Sequence, residues 1–153
     1  MPTSKNNLSG LLATLLLSII ILIAFYGELL KSPNSRYFAS NGDGLKSYYI
    51  GTYHIKYDST YSHSQSLNYP YGETVYFTDC HPLISNTMKF ISRNITDVSD
   101  YFVGTINILI LISLVIAALF MYLVFMELGM SPFFSIIPSV AIVFLSPQVD
   151  RMG

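Results

Sequence analysis

The sequence predicts an all-α integral membrane protein: about three transmembrane helices, with a mixed external loop carrying amphipathic interfacial helices. Two observations lead to that class. The 153 residues are 52% hydrophobic and 11% charged, with a mean hydropathy of +0.48, whereas soluble domains carry roughly 25% charged residues. Two long runs, Leu8 to Gly27 and Val103 to Met126, contain no charge at all. Each reaches the roughly 20 residues that cross about 30 Å of hydrocarbon.

The first expected span covers residues 8–30. Its apolar stretch outlasts the roughly 7–15 residues of a signal-peptide core. No small-x-small cleavage pattern follows Ala24, where Phe25, Tyr26 and Glu28 come next, so it reads as a retained anchor. The second span is expected at 102–127 and the third at 132–147. The third lies in a charge-free run from Leu128 to Val149 that contains Pro132, Pro138 and Pro147. Proline removes a backbone donor and kinks a helix, which leaves a re-entrant or interfacial segment as the competing reading. Gly129 and Pro132 end one helix and start the next across a short turn.

Between the first two spans lies a polar loop, 31–101. Its bases Lys31, Arg36, Lys46, Lys56, Lys89 and Arg93 are matched by Asp43, Asp58, Glu73, Asp79, Asp97 and Asp100. A naive positive-inside count would hold this loop in the cytoplasm. Long loops, however, translocate largely regardless of charge, and the loop is expected outside, on the periplasmic face of a bacterial inner membrane. Two amphipathic helices are expected within it. The first, about 43–56, shows a face of Leu45, Tyr48, Tyr49, Thr52 and Tyr53. The second, about 82–96, starts at Pro82 and carries a stripe of Ile84, Met88, Ile91 and Ile95, with Lys89 and Arg93 pointing elsewhere. Such a helix can lie in the headgroup plane. Tyr69-Pro70-Tyr71-Gly72 reads as a turn and Val75-Tyr76-Phe77 as a brief extended piece.

The formal net charge of −1 gives no case for nucleic acid. The single Cys80 forms no internal disulfide and excludes cysteine-rich zinc sites. Chemistry must therefore come from the loop. Asp43, between Gly42 and Gly44, is either a general base or the N-cap of the following helix. Asp79 and His81 either share a cation or a phosphate, or organise the helix start at Pro82. Lys46, Lys56, His54 and His63 are candidate contacts to a lipid phosphate. Ten of the twelve tyrosines fall between Tyr37 and Tyr101; they suit a membrane–water boundary and also stack on sugar rings. Asp150 and Arg151 follow the third span and either mark the membrane boundary or face the same outer cavity as Asp43.

Taken together, Gly42-Asp43-Gly44-Leu45-Lys46-Ser47-Tyr48-Tyr49, Asn68-Tyr69-Pro70-Tyr71-Gly72-Glu73, Thr78-Asp79, His81-Pro82-Leu83 and Ser146-Pro147-Gln148-Val149-Asp150-Arg151 resemble the amino-terminal end of bacterial integral-membrane glycosyltransferases of the GT-C type. The resemblance covers nearly the whole chain. It implies transfer of a sugar, with inversion, from a polyprenyl-phosphate carrier to an acceptor at the outer membrane face. Asp43 matches the acidic residue of the first external loop and would be catalytic. Lys46, His54, Tyr69, Tyr71, Asp79, His81 and Arg151 would contact substrate. No metal ligand is assigned; a divalent cation, which some members use, is the one cofactor to look for. Such enzymes have seven or more spans, so the chain is expected to be either the amino-terminal portion of a longer enzyme or a small non-enzymatic subunit of a membrane complex. Its expected partners are the bilayer, the lipid-linked sugar, and the remaining spans or subunits.

Overall fold

A computed structural model describes residues 4–38 and 42–146. The protein is mostly helical, and the described residues form five α-helices in the order α1 (Ser4–Lys31), α2 (Gly42–Lys56), α3 (Pro82–Asn94), α4 (Phe102–Glu127) and α5 (Pro132–Phe144). One two-stranded antiparallel ribbon interrupts them, β1 (His63–Ser64) against β2 (Glu73–Thr74), with His63 opposite Thr74. The chain divides into two compact units: residues up to Lys31 together with those from Ile108, and residues Ser32–Asn107.

In the first unit, α1 and α4 are long and apolar enough to cross a membrane. At 1.5 Å per residue their 28 and 26 residues extend about 42 and 39 Å. The helical dihedrals of α1 break at Tyr26 (φ −117°, ψ 16°), just before Gly27. By the same rise, the 13 residues of α5 extend only about 20 Å. Pro132 occupies its first turn and Pro138 its interior; Pro147, the last residue of the expected third span, lies outside the described residues.

Helix α1 packs on α5, and both helices bury small polar residues. Thr14 and Ser18 on α1 and Ser135 and Ser139 on α5 are all fully buried. Each satisfies its hydroxyl on a carbonyl four residues back, as in Thr14 Oγ1 to Gly10 O at 2.9 Å and Ser18 Oγ to Thr14 O at 2.8 Å. A hydroxyl tied to its own helix costs little to bury and lets backbones come close. On α4, Leu111, Leu114, Ala118 and Tyr122 form the buried stripe. Tyr122 donates to Asn7 O at 3.2 Å. A Cβ on Gly10 would stand 2.1 Å from the Tyr122 hydroxyl.

The second unit is organised by Asn107, fully buried near the start of α4. Its amide nitrogen donates to Pro33 O and Arg36 O, both at 2.7 Å, and its oxygen accepts from the Tyr48 hydroxyl. One side chain thereby ties the 33–36 turn, α2 and α4 together. Gly104 receives the Asn34 side chain, its N–H donating to Oδ1 at 2.7 Å. Gly51 admits the buried ring of Phe102, where a Cβ would meet ring carbons at 2.2 Å. A small core of Ile50, Val75 and Cys80, with Leu67 against it, sits under the loop.

Two local expectations are corrected. Val75–Phe77 is a 3₁₀ turn rather than an extended piece: Thr78 bonds back to Val75 O through both its N–H (3.3 Å) and its hydroxyl (2.8 Å). On α3 the buried residues are Ser85, Met88 and Lys89, so Lys89 points inward, and Ile95 lies beyond the helix end and is exposed. On α2 the buried residues are Tyr48, Ile50, Gly51, His54 and Ile55. Tyrosines also form a ladder along the helix, with Tyr49–Tyr53 and Tyr53–Tyr57 centroids 6.0 and 5.1 Å apart.

Candidate functional site

Gly42 begins α2 with a φ of +61°, a left-handed geometry that glycine adopts without steric cost. Asp43 therefore falls inside the first turn rather than at the cap. Its side chain is exposed and benefits from the helix dipole at that end, while its carbonyl accepts from Ser47 Oγ at 3.0 Å. Beside it opens a groove of about 560 Å³, walled by Tyr37, Tyr48, Tyr49, Leu45, Lys46 and Thr52. The Tyr37 and Tyr48 rings meet edge to face at 5.1 Å. The face read in the sequence as leucine and tyrosine is thus a groove wall.

Lys46 reaches across to Asp79, Nζ to Oδ2 at 3.1 Å. The hydrogen bond and charge of Asp79, followed by the charges of Asp43 and Glu73, raise the Lys46 ammonium above its ordinary value. Three carboxylates from three segments thus act on the charge of one lysine, although both partners of the pair are largely solvated and the pair adds little stability. Glu73, which sequence reasoning did not single out, also accepts from Asn68 Nδ2 at 3.1 Å.

The other expected substrate contacts are placed differently. Tyr69 and Tyr71 stand 89% and 85% exposed in a turn, which closes through Tyr71 N–H to Asn68 O at 2.9 Å; neither lines the groove. His81 is exposed and left-handed (φ 50°), and serves α3 through its carbonyl, which accepts the N–H groups of Ile84 and Ser85. His54 is fully buried, so a lipid phosphate does not reach it in this conformation. Arg151 lies outside the described residues.

His54 belongs to a second cluster that was missed. Its Nδ1 pairs with Asp58 Oδ2 at 2.7 Å and its Nε2 with Asn86 Oδ1 at 2.9 Å. Asp58 Oδ1 accepts from Gln65 N at 2.9 Å. The buried Lys89 donates to Thr60 O and approaches His54 Nε2 at 3.4 Å. Arg93 donates to Ser59 O at 2.8 Å and to Asp58 O. Burial, with Arg93 nearby, pushes Lys89 down to about 8 against the opposing pull of Asp58. The cluster clamps the 58–65 strap onto α2 and α3. The i, i+4 spacing of His54 and Asp58 was its one local signal. Among the described residues no three His, Cys, Asp or Glu side chains gather to hold a metal ion, so no step is derived through a cation.

Fold and site together define a mostly helical protein with two membrane-length apolar helices and a compact, tyrosine-rich polar unit. The chain belongs to the family described as Domain of unknown function (DUF6311), whose model matches residues 15–153. No curated protein and no solved structure matches it.

Proposed function

We propose that the chain is the amino-terminal portion of a membrane glycosyltransferase that moves a sugar from a polyprenyl-phosphate carrier to an acceptor at the outer membrane face. The observation that carries this reading is the exposed Asp43 at the start of α2, next to Gly42, which lines an aromatic groove together with Lys46. Asp43 takes the proton of the acceptor hydroxyl as its oxygen attacks the anomeric carbon. The carbon–oxygen bond to phosphate breaks with inversion, and polyprenyl phosphate leaves with the electron pair. Lys46 supplies positive charge for that phosphate, and the tyrosine walls face the sugar rings. The spans α1 and α4 anchor the chain in the bilayer.

The test is donor use. Membranes containing the protein are supplied with radiolabelled polyprenyl-phosphate sugar or with the corresponding sugar nucleotide, and label in the acceptor fraction is counted. Transfer from the lipid-linked donor alone supports the reading. Absence of transfer, with a larger membrane protein co-purifying in fixed ratio, establishes the rival role of a non-enzymatic subunit.

A further inference from the structure

A second groove lies in the 32–107 unit, of about 730 Å³ and walled by the rings of Tyr61, Tyr76 and Phe90, with Leu83 at its rim. Its volume falls within the roughly 300–1,000 Å³ of small-molecule clefts. Two polar side chains, Asn86 and Thr87, break the apolar lining. The amide of Asn86 is fixed from behind: its Oδ1 faces His54 Nε2 at 2.9 Å, and the buried imidazole is itself held by Asp58 at 2.7 Å. That leaves the amide NH₂ as the polar end available to a ligand.

Charge narrows the ligand class. No ionisable acid or base lines the groove except the two phenols. Two cations, Lys89 and Arg93, stand over the Tyr61 ring at 5.4 and 5.7 Å, and both donate to strap carbonyls, Thr60 O and Ser59 O. No cation lines the groove to offset the charge of a phosphate or carboxylate, and a cationic ligand would add a third positive charge at one ring. A lipid chain would leave the Asn86 amide unpaired. The remaining fit is a neutral molecule with a flat apolar face and a hydroxyl edge.

We propose that this groove binds a neutral pyranose ring, stacked between the aromatic walls, with a ring hydroxyl accepting from the Asn86 amide. The site is separate from the Asp43 groove and goes beyond the transferase reading.

The experiment uses the full chain in lipid nanodiscs, with Phe90→Trp as reporter. The chain has no tryptophan of its own, and the substitution keeps an aromatic wall. Methyl glucoside, methyl galactoside, methyl mannoside and N-acetylglucosamine are titrated, with inorganic phosphate and choline as charged probes. We expect a saturable fluorescence change with at least one neutral sugar, with Kd on the order of 1 mM. Tyr76, 68% exposed, can be changed to Ala without touching the core; Tyr76→Ala and Asn86→Leu should each weaken binding tenfold or more, the former with an unchanged Tm. Saturation by none of the sugars, competition by phosphate or choline, or an affinity indifferent to Tyr76→Ala would overturn the proposal. So would quenching of the reporter by brominated lipid chains with no response to sugar, which assigns this face to the bilayer. Sugar binding without transfer from any donor would retain this site and remove the transferase reading; transfer without binding here would do the reverse.

Discussion

At the scale of single residues, the least expected placement is that of Lys89, a lysine with no exposed surface. Below about pH 8 it is protonated in both the folded and the unfolded chain, and its burial penalty is present in full. Between about 8 and its ordinary value of 10.5, the folded chain gives up a proton that the unfolded chain retains, so stability rises with pH in that window. The comparison with Lys89→Met isolates this group. From pH 8 to 10 the Tm of the wild type should rise relative to that of the variant; a difference that is flat or falls across the window contradicts the assignment. The local sequence signalled only part of this cluster. His54 and Asp58 share a helical spacing, but their union with Asn86 and Lys89 joins residues more than thirty apart, which periodicity along the chain does not encode.

At the scale of elements, hydrophobic patterning located the helices well because long charge-free runs and prolines at helix starts act locally. A membrane-length apolar helix runs Phe102–Glu127, where the second span was expected at 102–127. The amphipathic helices were expected at about 43–56 and 82–96 and run Gly42–Lys56 and Pro82–Asn94. Which face each helix buries was less legible. On α3 the isoleucine and methionine stripe suggested one face, yet the strap of residues 58–65 offers carbonyls that only Lys89 and Arg93 can meet. Helix contacts in the first unit depend on a steric feature equally hidden in sequence, the missing side chain at Gly10. Gly10→Ala places a methyl on the buried Tyr122 hydroxyl and should destabilise by about 1–3 kcal/mol, the usual range for overpacking. Thermal unfolding in detergent measures this. Because the clash is with the ring's hydroxyl end, adding Tyr122→Phe should recover part of the loss, and no recovery would place the strain elsewhere.

At the scale of the whole molecule, the proposed reading sets the 32–107 unit on the outer face of a bacterial inner membrane. Cys80 is fully buried and is expected to stay silent toward thiol reagents, so a single added cysteine reports sidedness. Tyr71→Cys, at an exposed turn, should react with a membrane-impermeant maleimide in intact spheroplasts; labelling only after lysis would place the unit in the cytoplasm. The candidate groove was half legible. Asp43 stood out by its flanking glycines and Lys46 as a candidate phosphate contact, and Asp79 joins them as the partner of Lys46. The separation of Tyr69, Tyr71, His54 and His81 from that groove comes from the path of the loop, which residue types alone do not specify. The account turns on the carboxylate of Asp43, and the most direct measurement is the rate of sugar transfer from a polyprenyl-phosphate donor by the full-length Asp43→Asn protein. The substitution keeps the side chain's shape on a solvent-exposed first turn. A fall of about 10²–10⁴-fold at an unchanged Tm is the expected result, and transfer at the wild-type rate would contradict the account.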